Sequence, residues 1–281
     1  MKRREGQSKV PVVITIAGTD PSGGAGISVD LQVCRDWGCH GMAAITAVVW
    51  QNTQGVIGWR PMSDGDLRSQ MAAIKADVAP SAIKIGMVPT TKQVQVIRRW
   101  LEDVDPDTPV IFDPVMAEGG GEKALVEDGA ARDFEALRGV VDLVTPNAME
   151  AQILADVEPS EAIERLLEGG WKRVLLKGGH LEEEQREIRD WLGDESGIQP
   201  LKGLPRLEVD CRGTGCQLST AIACALAIDD ADSPRWVEAI EAARSYLQEM
   251  LATRCQQVGR GRSIVVRDDL SWRRRGGDIG Q

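Results

Sequence analysis

The chain has 281 residues, of which 42% are hydrophobic, and this is enough for one large globular domain with its own core. Its formal net charge of -10 at pH 7 disfavours nonspecific nucleic-acid binding, because phosphate backbones are held by clustered Lys and Arg. No run of about 18 apolar residues predicts a membrane span, and the start MKRREGQSK lacks the apolar stretch of a signal peptide.

The first predicted element is an apolar strand, which is followed by a glycine-rich turn. The β-branched run at residues 10–17 predicts the strand, and the turn GTDPSGGAG at 18–26 ends it. A helix is predicted next, with apolar residues at helical spacing and Asp30 on a neighbouring face. The polar tripeptide Gln51-Asn52-Thr53 follows the second apolar run, where a strand tip is expected to line a cleft.

Apolar runs alternate with helical patterns along the rest of the chain. The further predicted strands are 42–50, 56–59, 83–87, 109–113, 140–145 and 173–177. The further predicted helices are 63–78, 91–101, one that opens at Pro146, and a final one that starts at Gly213. This alternation predicts a mainly parallel sheet with helices on both faces, which is a three-layer α/β/α domain.

Polar residues follow several predicted strands. In open α/β sheets, ligands bind outside the carboxyl ends of the strands. The sequence places there Asp113, Asn147, Glu150, Lys177 and the glycine turn after Arg212. A lysine at the end of an apolar strand would be costly if it were buried unpaired, which favours a ligand role for Lys177. For Asp113, which precedes a proline, the alternative is a turn-shaping role.

The stretch RGTGCQLSTAIACALA at 212–227 joins a glycine turn to a long apolar helix. Gly213 and Gly215 have no Cβ, so the backbone can turn sharply and approach a ligand. The helix start presents unpaired N–H groups and roughly half a positive charge, which favour phosphate. The same field is expected to lower the pKa of Cys216. The alternative is that the loop needs glycines and that Cys216 fills core space.

Two other phosphate-binding motifs are excluded by their spacing. The turn at 18–26 breaks the G-x-G-x-x-G pattern, and no G-x-x-x-x-G-K-[ST] motif occurs. The loop PVMAEGGGEKAL at 114–125 contains Gly119-Gly120-Gly121, which suits either a lid over a ligand or a plain surface loop.

The six cysteines are too few for a disulfide scaffold at this length. They are therefore expected to be reduced, and the protein is expected to be cytoplasmic. The pairs Cys34/Cys39 and Cys211/Cys216 lack the C-x-x-C spacing of zinc knuckles, so no metal cluster is expected.

Seven segments, taken together, match one known pattern. They are AGTDPSGGAGISVDL at 17–31, WQNTQGV at 50–56, KIGM at 84–87, FDPVM at 112–116, TPNAMEA at 145–151, LLKGGHL at 175–181 and GTGCQLSTA at 213–221. In these segments the chain resembles the phosphomethylpyrimidine kinases of thiamine synthesis, within the ribokinase-like superfamily. The resemblance implies a ribokinase-like kinase domain over 10–258, with terminal extensions at 1–9 and 259–281. It also implies a homodimer.

The implied reaction uses ATP and Mg²⁺ to phosphorylate 4-amino-5-hydroxymethyl-2-methylpyrimidine and then its monophosphate. By the resemblance, Gln51 and Asp30 would hold the pyrimidine, and Gly18 and Met87 would line its pocket. A glutamine amide can both donate and accept, which matches an aminopyrimidine edge. For Met87 the alternative is a core position, and for Asp30 it is a solvated helix face.

The resemblance places the phosphates at the other end of the site. Asp113, Asn147 and Glu150 would organise Mg²⁺ and phosphates, with both carboxylates reaching the metal through water. Lys177 would contact the transferring phosphate. The anion hole would be formed by Gly213, Thr214, Gly215 and Cys216. Cys216 stands where ribokinases carry a catalytic aspartate and would take the substrate proton late in the transfer. For Glu150 the alternative is a solvated helix residue.

Two features depart from the family pattern. Relatives usually carry Thr-His before GTGC, whereas this chain has Cys211-Arg212, whose charge would either bind phosphate or face solvent. The loop after Met116 lacks the usual lysine-serine and has Gly119–Gly121 instead, which bears on lid closure and ATP affinity.

Two other functions stay open. The first is a pyridoxal kinase of the same fold, against which Gln51-Asn52-Thr53 argues because those relatives usually lack the glutamine. The second is a noncatalytic pyrimidine sensor, against which the joint presence of Asp113, Lys177 and Cys216 argues.

Overall fold

A computed structural model describes residues 10–118, 123–127, 129–178, 186–229 and 234–267. The strands are β1 (Val12–Ala17), β2 (His40–Ile45), β3 (Ala47–Asn52), β4 (Gly55–Pro61), β5 (Ala82–Ile85), β6 (Val110–Phe112), β7 (Leu143–Val144), β8 (Val174–Leu176), β9 (Glu187–Ile188), β10 (Trp191–Asp194), β11 (Gly197–Pro200), β12 (Leu204–Pro205), β13 (Cys255–Gln256) and β14 (Ile264–Val265). The helices are α1 (Gly26–Asp36), α2 (Asp64–Asp77), α3 (Thr91–Leu101), α4 (Ala130–Asp133), α5 (Ala148–Ala155), α6 (Pro159–Glu168), α7 (Thr214–Ile228) and α8 (Trp236–Arg254).

An 8-stranded sheet has the strand order β11-β10-β8-β7-β6-β5-β1-β2. From β8 to β2 every neighbouring pair is parallel. At the other edge β10 runs antiparallel to β8 and to β11. The predicted mainly parallel sheet is therefore confirmed, with an antiparallel edge that the sequence patterns did not predict.

Helices cover both faces of this sheet, as predicted. Side chains alternate between the faces of a strand, so Ile14 and Ile16 of β1 lie in one buried cluster while Val13 lies in another. The first cluster includes residues of α2, α3, α5 and α6, and the second includes residues of α1, α7 and α8. Each large aliphatic side chain buried this way contributes roughly 1.5–3 kcal/mol. The result is the expected three-layer domain.

The strand order reverses next to β1. The chain passes from β1 to β2 on one side and later adds β5 on the other side. Ligands bind in the crevice that opens at such a switch point, outside the carboxyl ends of the strands. The loops that follow β1 and β5 therefore form the floor of a cleft.

The apolar run predicted as one strand at 42–50 is two strands. β2 ends at Ile45, and Thr46 turns the chain out of the sheet into the hairpin of β3 and β4. The backbone N–H of Thr46 donates to the carbonyl of Ala17, and its hydroxyl donates to the carbonyl of Met87 at 2.6 Å. These long-range hydrogen bonds fix the corner, which strand propensity along the sequence cannot reveal.

One feature near the carboxyl terminus differs from the prediction, and a second one concerns the expected terminal extension. The helix that starts after Gly213 is not the final one, because α8 follows it and shares its buried cluster. Residues 259–267, expected to begin a terminal extension, pack on the domain: β14 pairs with β13, and the backbone N–H of Arg262 donates to the carbonyl of Thr53. Of the expected extensions at 1–9 and 259–281, residues 1–9 and 268–281 lie outside the described residues.

Among the helices of the described residues, none combines the length and the hydrophobicity that a membrane crossing requires. The predicted lid residues Gly119–Gly121 also lie outside the described residues.

Candidate active site

A cleft of about 830 Å³ opens at the carboxyl ends of the parallel strands. Most of the residues predicted from the sequence for the site line it: Gly18, Gln51, Met87, Asp113, Asn147, Glu150, Lys177, Gly213, Thr214, Gly215 and Cys216. Asp30 does not line it. The cleft therefore gathers side chains that are far apart in the sequence, from the loop after β1 to the start of α7.

The glycine turn packs its backbone directly against the first glycine-rich loop. Gly213 has φ 69°, which is left-handed, and a Cβ there would overlap the carbonyl oxygen of Gly24. Only glycine fits both constraints. Gly213 is also the N-cap of α7 and has no side chain that could bond the first N–H groups of the helix. The first N–H groups of a helix have no partner within the helix, and here they lie at the cleft with the positive end of the helix dipole behind them.

An ion pair stands in front of this helix start. Nζ of Lys177 lies 2.8 Å from Oδ1 of Asp113 and 3.6 Å from Oε2 of Glu150. A Cβ on Gly215 would lie 3.2 Å from the same Nζ, so the ammonium is next to the backbone of the helix start. Lys177 itself is held by a bridge between the backbones of Asn147 and Lys177, next to β7 and β8.

This ion-paired group contains one basic side chain, Lys177, and two acidic ones, Asp113 and Glu150. Burial alone would lower the pKa of Lys177, but Asp113 and Glu150 outweigh it and the pKa is raised, so the ammonium stays charged. Burial raises the pKa of the Glu150 carboxyl, and Lys177 offsets only part of that effect. Two carboxylates that face one ammonium leave a negative charge to be balanced, which suits a cation with oxygen ligands.

Asn147 and Glu150 form the capping box of α5. The backbone N–H of Glu150 donates to the Asn147 side chain at 2.9 Å, and the backbone N–H of Asn147 donates to Oε2 of Glu150 at 2.8 Å. Glu150 is buried, so the alternative of a solvated helix residue is wrong. The box fixes the Glu150 carboxylate next to Lys177.

Cys216 lies in the first turn of α7 and is half-buried. Burial raises the pKa of its thiol to about 11; the cation of Lys84 opposes this rise, and Asp113 adds to it. The prediction of a lowered pKa for Cys216 is therefore wrong, because burial outweighs the effects that would lower it. The backbone N–H of Gly26, at the start of α1, donates to the sulfur, so the thiol sits between two helix N-termini.

The predicted contact between Asp30 and a pyrimidine is corrected by the structure. Asp30 is fully buried under the cleft, where its carboxylate accepts from Lys84, Thr15 and Thr220 at 2.8, 2.5 and 2.8 Å. Sequence periodicity placed Asp30 beside the apolar face of α1, but Lys84 of β5 lies opposite it. Both side chains have an exposed fraction of 0%.

Lys84 was not singled out from the sequence. Burial by itself would lower its pKa, but the carboxylate charges of Asp30 and Asp113 outweigh this, and the pKa is raised above its ordinary value. The available signal was the run Ile83-Lys84-Ile85, because a lysine between two buried residues of a central strand needs a partner.

The opposite end of the cleft is formed by the hairpin and the loop after β1. Nε2 of Gln51 donates to the carbonyl of Thr19 at 3.1 Å. A Cβ on Gly18 would lie 2.9 Å from Sδ of Met87, so these two residues touch. Met87 is mostly buried and also lines the cleft. It is therefore both a core residue and a residue of the pocket wall.

Arg212 reaches into this end of the cleft. Its guanidinium donates to Oε1 of Gln51 at 2.5 Å and to Oε1 of Glu118 at 2.9 Å. Because 5% of its side chain is exposed, the alternative that Arg212 faces solvent is wrong. Glu118 was missed by sequence reasoning, since nothing local marks it apart from its place before the three glycines.

The fold and the site together define a class of protein. A parallel sheet between helix layers, a glycine turn at a helix start and a lysine–aspartate pair beside it are the parts needed to neutralise and orient a transferring phosphoryl group. The chain is a small-molecule kinase with the ribokinase-like fold.

Comparison with known proteins identifies the family. The family model described as phosphomethylpyrimidine kinase matches residues 20–266. The hydroxymethylpyrimidine/phosphomethylpyrimidine kinase of Escherichia coli is 35% identical over 249 residues, which cover 85% of this chain and 90% of that protein. The chain belongs to the phosphomethylpyrimidine kinase family, so the predicted family and class of enzyme are confirmed.

Solved structures give the same fold. A phosphomethylpyrimidine kinase from Clostridium difficile has a TM-score of 0.70 and 31% identity, over 85% of this chain and 98% of that one. A pyridoxal kinase from Bacillus subtilis, solved as an ADP complex, has a TM-score of 0.78 and 25% identity, over 91% of this chain and 97% of that one. The predicted ribokinase-like fold is therefore confirmed.

Proposed function

We propose that the protein uses ATP to phosphorylate 4-amino-5-hydroxymethyl-2-methylpyrimidine, and then its monophosphate, for thiamine synthesis. The observation that carries this proposal is that one cleft holds a phosphate-binding end and a heterocycle-binding end. The phosphate end has the start of α7 with Lys177 beside it, and the other end has Gln51 between Thr19 and Arg212.

The proposed transfer forms a bond between the hydroxymethyl oxygen and the terminal phosphorus of ATP and breaks the bond from that phosphorus to ADP. The free N–H groups of Thr214, Gly215 and Cys216 stabilise the charge on the transferring oxygens. Lys177, beside the helix start, neutralises the charge of the same group. In the second step the acceptor oxygen belongs to the phosphate of the monophosphate. The same N–H groups and Lys177 then stabilise the charge of the transferring group.

The raised pKa of Cys216 limits its role. With a pKa of about 11, forming the thiolate at pH 7 would cost on the order of 5 kcal/mol, so the thiol is protonated and has no capacity to take a second proton. We therefore assign to Cys216 the placement of the attacking hydroxyl. The hydroxyl proton passes late to an oxygen of the transferred phosphoryl group, since little base strength is needed in a loose transition state. A neutral residue here also avoids repelling the incoming phosphates.

Magnesium fits the donor set of the phosphate end. Within the described residues no cluster of three or more His, Cys, Asp or Glu side chains could enclose a metal. Mg²⁺ often keeps several waters and uses one or two carboxylates together with substrate phosphates. Asp113 and Glu150 would hold it through water, with Asn147 close by, and it would supply further neutralisation of the phosphate charge.

Two broader expectations belong to the same proposal. The hairpin of β3 and β4 carries exposed apolar side chains at Val48, Trp50 and Ile57, which supports a homodimer formed through this surface. Sedimentation of the wild type and of Trp50→Lys checks it, because a dimer through the hairpin would dissociate in the variant.

A cytoplasmic location is proposed from the reduced state expected for the cysteines.

The test is ADP release with the pyrimidine, its monophosphate and pyridoxal, each offered with ATP and Mg²⁺. The proposal expects turnover of both pyrimidines and a much lower kcat/KM for pyridoxal. The fold likeness to the Bacillus subtilis pyridoxal kinase makes preferential turnover of pyridoxal the second candidate outcome, which would replace the proposal. Binding of the pyrimidine without any ADP release would indicate the sensor.

A further inference from the structure

Arg212 has no role in the transfer described above, although it lies between the two ends of the cleft. Its backbone N–H donates to the carbonyl of Ser263 at 2.9 Å, so the segment 259–267 fixes the place from which the side chain starts. The side chain is almost fully buried. A buried guanidinium requires partners of opposite charge or good hydrogen-bond acceptors. Arg212 has two such partners in the cleft, Gln51 and Glu118.

The first partner is the amide of Gln51. Oε1 of this amide accepts from Nη2 of Arg212 at 2.5 Å, and its Nε2 donates to the carbonyl of Thr19 at 3.1 Å. An amide turned by half a rotation would point N–H groups at the guanidinium and oxygen at a carbonyl, so it would lose both hydrogen bonds. One orientation is therefore selected, and it leaves one N–H and one oxygen lone pair of Gln51 for a ligand.

The second partner is Glu118, which links Arg212 to the hairpin. Its Oε1 accepts from Nη1 of Arg212, and its Oε2 accepts from the backbone N–H of Val56 at 2.9 Å. Val56 pairs with Gln51 in the register of the hairpin. The carboxylate therefore balances the buried cation and holds it at a fixed distance from the strand that carries Gln51.

We propose that Arg212 is a positioning residue that determines substrate specificity by fixing the Gln51 amide as a paired donor and acceptor. The ligand class that matches this pair is a heterocycle with an amino group next to a ring nitrogen. The inference rests on the proposed function, which assigns Gln51 to the pyrimidine. A heterocycle without that edge, such as pyridoxal, leaves polar groups of the site unpaired, and sites of this kind reject such ligands strongly.

The test measures KM and kcat for the pyrimidine, for pyridoxal and for ATP in Arg212→Met, Arg212→Lys and Gln51→Ala, and in the double variant of Arg212→Met with Gln51→Ala. The control is Arg98→Met, which removes the same charge from the exposed i,i+4 pair that Arg98 of α3 forms with Glu102. Melting curves accompany each variant, because Arg212→Met also removes the partner of Glu118.

The expected result is a KM for the pyrimidine raised by about tenfold or more in Arg212→Met, with kcat and the KM for ATP nearly unchanged. The preference for the pyrimidine over pyridoxal falls, and Arg212→Lys recovers part of it. Adding Arg212→Met to Gln51→Ala causes no further rise, because a residue that acts through another is not additive with it. Arg98→Met behaves as the wild type.

An unchanged KM in Arg212→Met, a parallel rise in the KM for ATP, or effects that multiply in the double variant would overturn the inference. If Arg212→Met does not fold, Arg212→Lys decides: it keeps the charge but lacks the two-pronged fork, so it must still raise the KM for the pyrimidine. A wild type that turns over neither pyrimidine rejects the proposed function instead, whereas an active wild type with insensitive variants rejects only this inference.

Discussion

The two ends of the cleft are built in different ways. The phosphate end uses backbone N–H groups of α7 and an ion pair whose members each follow a parallel strand, Asp113 after β6 and Lys177 after β8. The heterocycle end combines side chains from the hairpin, from Glu118 and from Arg212, with residues 259–267 behind them. The first end depends on main-chain geometry that many sequences of one fold can share, whereas the second depends on side-chain contacts between distant segments of the chain.

The largest expected effect concerns Asp30, which separates structural support from ligand binding. Asp30→Asn keeps the shape but leaves Lys84 as an unpaired buried cation, so unfolding in urea should show a loss of about 3–5 kcal/mol. The matched control is Asp103→Asn in the exposed pair with Lys75, where a loss of about 0–1 kcal/mol is expected. A stable Asp30→Asn protein with a raised KM for the pyrimidine would show that Asp30 contributes to pyrimidine binding.

The next effect concerns the phosphate end itself. Lys177→Ala should lower kcat by about 10²–10³, equivalent to 2.7–4 kcal/mol, because it removes the cation that faces the transferring group. The KM for the pyrimidine should change little, since Gln51 lies at the other end. Steady-state kinetics with the pyrimidine and ATP varied separately check this split, and an unchanged kcat would remove Lys177 from the proposed transfer.

The close contact of the two glycine loops predicts a smaller effect. Gly213→Ala and Gly139→Ala both place a side chain at a positive φ, but a Cβ at Gly139 meets no atom within 4 Å. Gly213→Ala should therefore lose about 1–3 kcal/mol more than Gly139→Ala, the usual cost of overpacking. Denaturant midpoints of the two variants give this difference, and equal losses would show that the loops can move apart.

The smallest expected effect concerns the Cys216 thiol. Since burial raises its pKa to about 11, alkylation of Cys216 should be slow at pH 7 and keep rising with pH up to about 11, instead of levelling off near the ordinary value of about 8.5. Peptide-resolved mass spectrometry measures this profile. Cys216→Ala should lower kcat by less than the 10²–10⁴ of a lost general base, and a larger loss would restore the thiol as proton acceptor.

The order of strands and helices was predictable because burial imposes periods of 2 and about 3.6 on the sequence. The prediction failed where a contact between distant residues decided where a strand begins or ends. Thr46 splits an apolar run because its partners are the carbonyls of Ala17 and Met87. The edge strands β10 and β11 are short, and α8 lies beyond the segments that carried the pattern.

The candidate site was predictable to the extent that it is encoded locally. The glycine turn, Asn147 with Glu150, and a charged residue at the end of a strand can each be recognised within a few residues of sequence. Asp30 and Lys84 are 54 residues apart in the chain, and Gln51 and Arg212 are 161 apart. Periodicity tells which way a side chain points, but it does not tell what lies opposite.

The sequence by itself determined the parallel sheet, the helix layers and the glycine turn at the start of α7, because strand burial, helix spacing and a glycine turn are properties of short segments. Only the tertiary structure decided that Asp30 pairs with Lys84 beneath the cleft, that burial raises the pKa of the Cys216 thiol, and that Arg212 donates a hydrogen bond to Gln51. These outcomes depend on desolvation and on charge partners, and both are set by residues that meet only when the chain is folded.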